Sequence, residues 1–452
     1  MQLVSKKQLG IFAMLVSCFA LWGLLNNMTD NLVPAFQRIF TMDQSRAGLV
    51  QVAFYGAYAV LAIFAAVLAE ELSYRKGVLI GLAIYITGAL LYIPACIAQS
   101  FDIYFIAIFI VAGGCSLLET TCNPYVLSLG EQETAVRRLN FAQMFNPVGS
   151  FFGIFLAQQL ILANLNPATV AERQAMEQAA LDAIMDKELF WVCVPYLAVC
   201  AIAAAIWLSF FVSKPTEIDR VAADGTSIRE VLGILVHSPR WYCGVVAQVF
   251  YVGVQIAAWT WTNVYCQKEL GVSPKDAASY YLIAFTLFMV CRWICTWLMK
   301  YFEPAKMMAV FALGAILSSF GVIYLRSDVL FTVCGLPFSA NVICLCLMSG
   351  FMSLMFPTIY GIGLGGIDPK AHKLGAAGLI MAIVGGALLT PWMAAIIDKP
   401  GFWANFVTMY DATVDPVLHA SSVSLRASFF VPVICFAVVG IYALVFSGKK
   451  AR

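Results

Sequence analysis

Charged residues are scarce in this 452-residue chain. Asp, Glu, Lys and Arg make up 12% of the sequence, whereas a soluble domain carries about 25%. Hydrophobic residues make up 62%, against about 45–50% in a soluble domain. This composition excludes a soluble globular protein and predicts an integral membrane protein. The net charge of +2 and the lack of a basic, aromatic loop argue against nucleic acid as a partner.

Histidine and paired cysteine motifs are also missing. The three histidines, His237, His372 and His419, lie far apart, and no two cysteines have the CxxC spacing typical of a zinc site. The 14 cysteines fall mostly within apolar runs, where a free thiol acts as a small hydrophobic group. No activated serine or nucleotide-binding loop occurs in a suitable context. We therefore expect no metal, no cofactor, no disulfide, no catalytic residues and no enzymatic activity.

The chain instead contains a series of twelve apolar runs. Each is roughly 20 residues long, which is enough to cross ~30 Å of hydrocarbon as a helix. They predict an all-α integral membrane protein with twelve transmembrane helices in two six-helix bundles, surrounded by a lipid bilayer. The runs lie near residues 11–36, 47–70, 77–98, 102–127, 141–163, 189–213, 241–265, 277–299, 306–325, 338–363, 374–397 and 427–447.

The connections indicate how these runs are organised. The polar stretch 214–240 divides them six and six, which predicts an N-terminal bundle over 1–213, a linker over 214–240 and a C-terminal bundle over 241–452. With the N-terminus inside, 17 of the 27 Lys and Arg residues lie on the cytoplasmic side and nine on the other. The positive-inside rule then predicts that both termini and the linker are cytoplasmic. Two such bundles are typical of a transporter with a substrate site near mid-membrane.

Two shorter patterns predict local structure. Gly149 and Gly153 lie one turn apart in the fifth run, and small residues at this spacing allow two membrane helices to approach closely. The segment AERQAMEQAALDAIM, at residues 171–185, predicts a short surface helix between the fifth and sixth runs.

Two carboxylates stand inside apolar runs, Asp30 in the first and Glu119 in the fourth. A charged side chain at the bilayer centre costs about 2.5–3.5 kcal/mol on the lenient insertion scale, so such residues usually face a cavity, a partner or a transport path. A protonated carboxyl costs far less to bury, which makes its charge a function of pH. The pair predicts proton coupling. Asp30 lies about six residues from the end of its run, so partial solvation is an alternative for it.

Amide and aromatic side chains recur at helical spacing in several runs. Amides supply paired donors and acceptors, which suit vicinal hydroxyls, and aromatic rings suit the apolar face of a sugar. The pattern predicts a polar cavity with stacking walls for a neutral polyol or sugar. Its members are Trp22 and Asn27 in the first run, Gln143 and Asn146 in the fifth, and Gln248, Tyr251, Gln255 and Trp259 in the seventh.

Each of these residues also has a simpler interpretation. Amides in membrane helices often bond a neighbouring helix, at about 0.6 kcal/mol apiece, and Trp and Tyr often mark the membrane interface. Arg292 lies roughly eight residues from the cytoplasmic end of the eighth run. Snorkelling or an ion pair is favoured there over ligand binding.

Several stretches resemble the L-fucose:proton symporter branch of the major facilitator superfamily. They include LWGLLNNMTDNLVPAFQRIF, LLETTCNPYVLSLG, RRLNFAQMFNPVGS, AQVFYVGVQIAAW and GAAGLIMAIVGGALLTP, and they cover most of the helical core. In that family a first-helix aspartate and a fourth-helix glutamate are the proton-linked acids, which match Asp30 and Glu119. The resemblance also implies substrate-cavity roles for Trp22, Asn27, Gln143 and Asn146, and an aromatic contact from Phe288.

Two positions leave the identity of the sugar open. Glucose/galactose-type members of the family tend to carry glutamine where Glu119 stands, so this position favours the fucose type. Phe356 stands where the fucose type has a tyrosine, and the missing hydroxyl could alter the preferred sugar. We expect L-fucose as the substrate, with glucose, galactose or another neutral sugar as the alternative.

The resulting hypothesis is import by alternating access, with H⁺ as the coupling ion. Glu119 binds a proton, which removes a buried charge, and Asp30 links proton release to the conformational change. A sodium-coupled sugar carrier and a facilitative pore are the rivals: the first needs Na⁺ at fixed pH, and the second does not accumulate sugar. The expected partners are a sugar, protons and lipid in a bacterial cytoplasmic membrane, with the protein acting as a monomer.

Overall fold

The computed structural model describes residues 4–30, 32–42, 44–47, 49–71, 73–168, 170–213, 228–399, 401–408 and 423–447. Most of these residues are helical, and one antiparallel hairpin of two strands interrupts the helices. By length and composition, eleven helical stretches in this part of the chain can cross a membrane, and a shorter apolar helix covers Leu49–Tyr58. The prediction of an all-α membrane protein is thus confirmed.

The elements follow one another in this order: α1 (Leu9–Asp30), α2 (Leu32–Ile39), α3 (Gln44–Ala47), α4 (Leu49–Glu71), α5 (Tyr74–Leu90), α6 (Tyr92–Ile97), α7 (Phe101–Ser128), α8 (Ala135–Gln143), α9 (Phe145–Leu156), α10 (Val170–Gln174), α11 (Gln178–Ser213), α12 (Ile228–Val236), α13 (Pro239–Leu270), α14 (Pro274–Leu298), α15 (Pro304–Tyr324), β1 (Val329–Val333), β2 (Leu336–Ser339), α16 (Ala340–Met352), α17 (Met355–Leu364), α18 (His372–Met381), α19 (Gly385–Asp398), α20 (Gly401–Thr408) and α21 (Phe430–Phe446).

The chain packs into two units. The first comprises Met1–Ile234 and Asp368–Met381, and the second Leu235–Ile367 and Ala382–Arg452. Residues 214–227 of the predicted linker lie outside the described residues, and the rest of the linker contains α12 and the start of α13. The division into bundles at residues 213 and 241 stays a prediction.

Glycines set the closest helix contacts in both units. A methyl group at Gly149 on α9 would lie 1.8 Å from the carbonyl oxygen of Ala20 on α1, and one at Gly153 would lie 2.1 Å from that of Leu24. In the second unit a methyl at Gly385 would lie 2.0 Å from the carbonyl oxygen of Val249, between α19 and α13. Backbones in such contact leave no room for a side chain. The close approach predicted at Gly149 and Gly153 is therefore confirmed.

A buried ion pair ties the ends of helices together in the first unit. Arg173 Nη1 lies 2.8 Å from Glu188 Oε2, and Arg173 Nη2 lies 2.5 Å from Glu188 Oε1. The two side chains are 0% and 2% exposed. Arg173 also donates to the carbonyl of Arg38 at the end of α2, at 3.2 Å. The pair therefore holds the segment before α11 against the end of α2.

The second unit has a corresponding pair at the end of α13 remote from α12. Arg426, just before α21, donates from Nε to Glu269 Oε1 at 2.9 Å and from Nη2 to Glu269 Oε2. Asn341 at the start of α16 donates to the same carboxylate at 3.1 Å, and Ser327 also donates to it. The end of α13, the start of α16 and the residues just before α21 thus share one buried carboxylate.

Replacing Glu188 with glutamine is expected to lower the thermal stability of the purified protein. The amide keeps at most part of the hydrogen bonding and leaves the buried guanidinium without its counter-charge, and breaking such a pair costs about 3–5 kcal/mol. Thermal unfolding in detergent measures the change. Glu177→Gln is the matched control, because this exposed glutamate lies 11 residues earlier and makes no ion pair in the described part of the chain. Equal melting temperatures for the two variants would contradict the expectation.

One local structure differs from what the sequence predicts. The 171–185 segment does not form a helix of its own: α10 ends at Gln174, and residues from Gln178 onward are the first turns of α11, which continues to Ser213. The hairpin of β1 and β2 lies largely before the tenth predicted run, in a stretch for which no structure was predicted, and α16 begins at Ala340, two residues after the predicted start of that run.

Candidate functional site

The predicted residues on α1 lie at different depths in the first unit. Trp22 is buried, and its ring stacks on Phe19 with a centroid distance of 5.6 Å. Asn27 is half-buried, and its Nδ2 donates to the carbonyl of Gly23 at 3.4 Å. Asp30 is the last residue of α1, and its side chain lies outside the described residues. The predicted role of Asp30 therefore rests on the sequence.

Glu119 lies in the middle of α7 and is 2% exposed. Its Oε2 atom is buried and has no hydrogen-bond partner among the residues that the structure describes. No Lys, Arg or His in the same part of the chain forms an ion pair with it. An ionised carboxylate in such a place lacks any compensation, whereas a neutral carboxyl is tolerated and retains a free oxygen. The environment of Glu119 therefore suits a group that carries a proton when buried.

A chain of amides connects α8 to the backbone at Glu119. Gln143 Nε2 donates to Asn123 Oδ1 at 2.8 Å, and Asn123 Nδ2 donates to the carbonyl of Glu119 at 3.0 Å. Gln143 and Asn123 are both buried. Asn146 is half-buried on α9, the helix that packs against α1. The structure thus places the predicted residues of the first and fifth runs on helices that pack together in the first unit.

Two of the predicted aromatic residues of the second unit, Trp259 and Phe288, form one cluster. Trp259 on α13 contacts Phe288 on α14 edge to face, with ring centroids 5.1 Å apart. The indole Nε1 donates to Ser349 Oγ on α16 at 2.9 Å. Gln255 lies one turn before Trp259 and is half-buried. Sequence reasoning missed Ser349, because its partner lies 90 residues away in the chain.

Arg292 is buried in the second unit, not extended towards the membrane surface. Its side chain is 4% exposed, its Nε donates to the carbonyl of Ser353 at 2.6 Å, and its guanidinium lies 4.6 Å from the centroid of the Phe288 ring. The interpretation as a snorkelling residue is therefore wrong. The cation instead lies on the aromatic cluster of Trp259 and Phe288, where a cation–π contact stabilises it.

Gln248, a member of the predicted polar pattern of the seventh run, has an unusual environment in the structure. It lies on the same polar stripe of α13 and is fully buried. Neither its Nε2 nor its Oε1 has a hydrogen-bond partner in the described part of the chain. Leaving a buried amide unpaired costs about 1–3 kcal/mol. Its position on the stripe was the signal in the sequence, but its lack of partners becomes evident only in the structure.

The family model of the Major Facilitator Superfamily matches residues 10–389. The chain belongs to the major facilitator superfamily. It is 39% identical to the L-fucose-proton symporter of Haemophilus influenzae, over 98% of this chain and 97% of that protein. The crystal structure of the Escherichia coli fucose:proton symporter matches with a TM-score of 0.81 and 30% identity, covering 97% of this chain and 98% of that one.

A glucose/galactose transporter of Brucella abortus is also similar. It is 26% identical over 96% of this chain and 92% of its own length. The predicted twelve-helix fold of the superfamily and the resemblance to its L-fucose:proton symporter branch are confirmed by these matches. Members of this superfamily move solutes across membranes, and the chain is accordingly a multi-pass transporter.

Proposed function

We propose that the chain imports L-fucose together with protons, with Glu119 as the group that carries the coupling proton. The observation that supports Glu119 is its complete burial with an unpartnered Oε2 and no cation nearby in the described residues. The relative that is 39% identical is named for fucose and proton symport. The membrane is the bacterial cytoplasmic membrane, with both termini on the cytoplasmic side, and the protein acts as a monomer without a cofactor.

Protonation of Glu119 changes both its charge and its hydrogen-bonding capacity. The neutral carboxyl gains an O–H donor, which an ionised carboxylate lacks. Sugar hydroxyls can accept from that donor and can bond the amides of Asn27, Gln143 and Asn146. Proton binding and sugar binding then favour each other, because the proton gives Glu119 a donor for a sugar hydroxyl and the sugar gives the buried carboxyl a hydrogen-bond partner. Asp30 links proton release to the change in access.

Aromatic rings in both units suit the apolar face of the sugar. Trp22 in the first unit is stacked on Phe19. Trp259 and Phe288 in the second unit hold each other edge to face, and Gln255 offers an amide one turn away. We propose each of these aromatic side chains as a contact for the sugar ring, with the amides of its own unit as hydrogen-bond partners for the hydroxyls.

Transport by energised membrane vesicles tests this function. Labelled L-fucose should accumulate when a pH gradient is imposed, and a protonophore should abolish accumulation. Unlabelled L-fucose should compete better than D-glucose, D-galactose or other neutral sugars. If proton-driven uptake were blocked best by another sugar, proton coupling would stand and that sugar would be the substrate. If uptake required Na⁺ at fixed pH, Na⁺ and not H⁺ would be the coupling ion.

Glucose or galactose is the second candidate substrate. The observation that favours it is that Phe356 stands where the fucose type has a tyrosine. Its ring lies on α17, with centroids 6.4 Å from Tyr251 and 6.4 Å from Tyr360. The fucose-type tyrosine would add a hydroxyl at this place.

Phe356→Tyr is expected to lower the half-saturating concentration of L-fucose by about two- to tenfold. One added hydrogen bond contributes about 0.5–1.5 kcal/mol. Initial rates of labelled L-fucose uptake measure this change, with Phe311→Tyr on α15 as the control. An unchanged value in both variants would mean that this position does not contact the sugar.

A further inference from the structure

The connection between α15 and α16 is a tight hairpin with an unusual surface. β1 and β2 pair antiparallel, with Val333 opposite Leu336, so that Cys334 and Gly335 alone form the turn. Both turn residues have positive φ, 50° and 82°, as a two-residue type I′ turn requires. The hairpin is therefore a defined structure and not an irregular loop.

Four of the five residues of β1 are hydrophobic and about half exposed. Val329, Leu330, Phe331 and Val333 are 48–62% exposed, and they occupy both faces of the strand. No charged residue occurs between Asp328 and Asp368. Soluble surfaces rarely expose a contiguous apolar patch of this kind. A two-stranded hairpin by itself is also marginal in water, so something other than water must cover it.

The hairpin lies beside the membrane-spanning helices of its unit. Tyr280, in the second turn of α14, donates its hydroxyl to the carbonyl of Pro337 at 2.5 Å, and its ring contacts Phe338 with centroids 5.3 Å apart. The Phe338 ring stacks in turn on Phe331 of β1, at 5.5 Å. β2 is thus held against the first turns of α14, and β1 lies on the far side of it.

Along the chain, the exposed apolar residues of the hairpin follow the exposed apolar residues of α15. Leu313, Leu317 and Leu325 are exposed along α15 and just after its end, as expected of side chains that contact lipid. Arg326 and Asp328 then form an ion pair at 2.9 Å and are 83% and 70% exposed. Directly after this polar pair the exposed residues become apolar again. The order of apolar, charged and apolar residues is typical of a chain that reaches the headgroups and turns back.

We propose that the hairpin of residues 329–339 lies in the membrane interface and is covered by lipid of the leaflet on the side opposite the linker. Among the described residues no strand pairs with the outer edge of β1, and backbone N–H and C=O groups on such an edge exclude the dry hydrocarbon and require the hydrated boundary. Amphipathic segments at this boundary bury their apolar side about 5–10 Å deep. Because the hairpin has no charge, it contacts neutral and anionic lipids alike.

A fluorescent probe on Cys334 tests the proposal in the full-length protein. Cys334 is exposed at the turn, whereas the other 13 cysteines are buried or half-buried. The Cys334→Ser variant measures how much of the label reacts with those other cysteines. The protein is reconstituted in nanodiscs and labelled with an environment-sensitive maleimide. Quenching is then measured with iodide in the water and with nitroxides at different depths on the lipids. A water-exposed reference is Glu177→Cys in the Cys334→Ser background, since Glu177 is exposed in the segment before α11.

The Cys334 probe should be quenched most by a nitroxide near the top of the acyl chain. Iodide quenching should be about threefold weaker than at the Glu177→Cys reference, because an interfacial segment is shielded from bulk water. The nitroxide quenching should stay the same when anionic lipid replaces neutral lipid. Leu330→Glu should raise iodide quenching to the reference level, whereas Arg326→Gln, in the polar pair next to the hairpin, should leave it unchanged.

Two results would overturn the proposal. Iodide quenching equal to that of the reference, with no quenching by lipid nitroxides, would place the hairpin in water. Shielding from iodide without nitroxide quenching, together with rapid oxidative cross-linking of Cys334 between copies, would mean that a second copy of the chain covers the hairpin.

Discussion

Glu119→Gln should abolish proton-driven accumulation of sugar while leaving a folded transporter. The amide has nearly the same shape as a protonated carboxyl but cannot lose or gain a proton. At ~150 mV one coupled proton supplies about 3.5 kcal/mol, enough for a gradient of roughly 300-fold. The variant should therefore take up labelled sugar only until the concentrations are equal. The ratio of internal to external L-fucose in vesicles measures the effect.

Exchange of sugar between the two sides separates a coupling defect from misfolding. Glu119→Gln should still exchange internal unlabelled sugar for external labelled sugar, and this exchange should no longer depend on pH. Glu131→Gln is the matched control, because this exposed carboxylate lies just beyond the end of α7. The control should accumulate sugar normally. Symport that remains pH-dependent in Glu119→Gln would mean that another group carries the proton.

The largest structural effect is expected from Gly149→Ala. The added methyl would lie 1.8 Å from the carbonyl oxygen of Ala20, and real side chains essentially never come within 3.0 Å of such an atom. The obstacle is backbone, so α1 and α9 must separate along their contact. Overpacking typically costs about 1–3 kcal/mol and occasionally more, and a contact with backbone puts this change at the upper end of that range. We expect little monodisperse protein after solubilisation and a markedly lower melting temperature.

Gly10→Ala on α1 is the control for this change. A methyl at Gly10 would have nothing within 4 Å, and alanine favours a helix over glycine by roughly 0.5–1 kcal/mol. Gly10→Ala should therefore be neutral or slightly stabilising. If both variants gave the same yield and melting temperature, the backbone contact of α1 with α9 would not limit the stability of this unit.

The sequence predicted the helical fold well because lipid imposes it. A chain in hydrocarbon must bond every backbone group internally, so a long apolar run admits little besides a helix. That argument weakens at the membrane boundary, where water is present. The incorrect prediction of a separate helix at 171–185 lies there, since the chain continues from Gln178 into α11. The hairpin of residues 329–339, for most of which no structure was predicted, lies outside the long helices as well.

The candidate site was predictable where the cost of burial identifies a residue. Glu119 was identified because a carboxyl in an apolar run is costly to bury, so its presence there indicates a functional role. The neighbours that define its surroundings were not all visible. Asn123 bonds Gln143 across 20 residues, and Arg292 bonds the carbonyl of Ser353 across 61. Such partners depend on which helices pack together, and helical periodicity does not predict the packing of helices.

The two buried Arg–Glu pairs differ in when they can form during synthesis. Arg173 and Glu188 are 15 residues apart, so both leave the ribosome almost together. Glu269 and Arg426 are 157 residues apart, and the arginine comes just before the last helix, α21. Until Arg426 is made, Glu269 cannot form this ion pair. The second unit therefore completes the cluster around Glu269 last, and a chain cut short before Arg426 lacks the ion pair that joins the end of α13 to the start of α21.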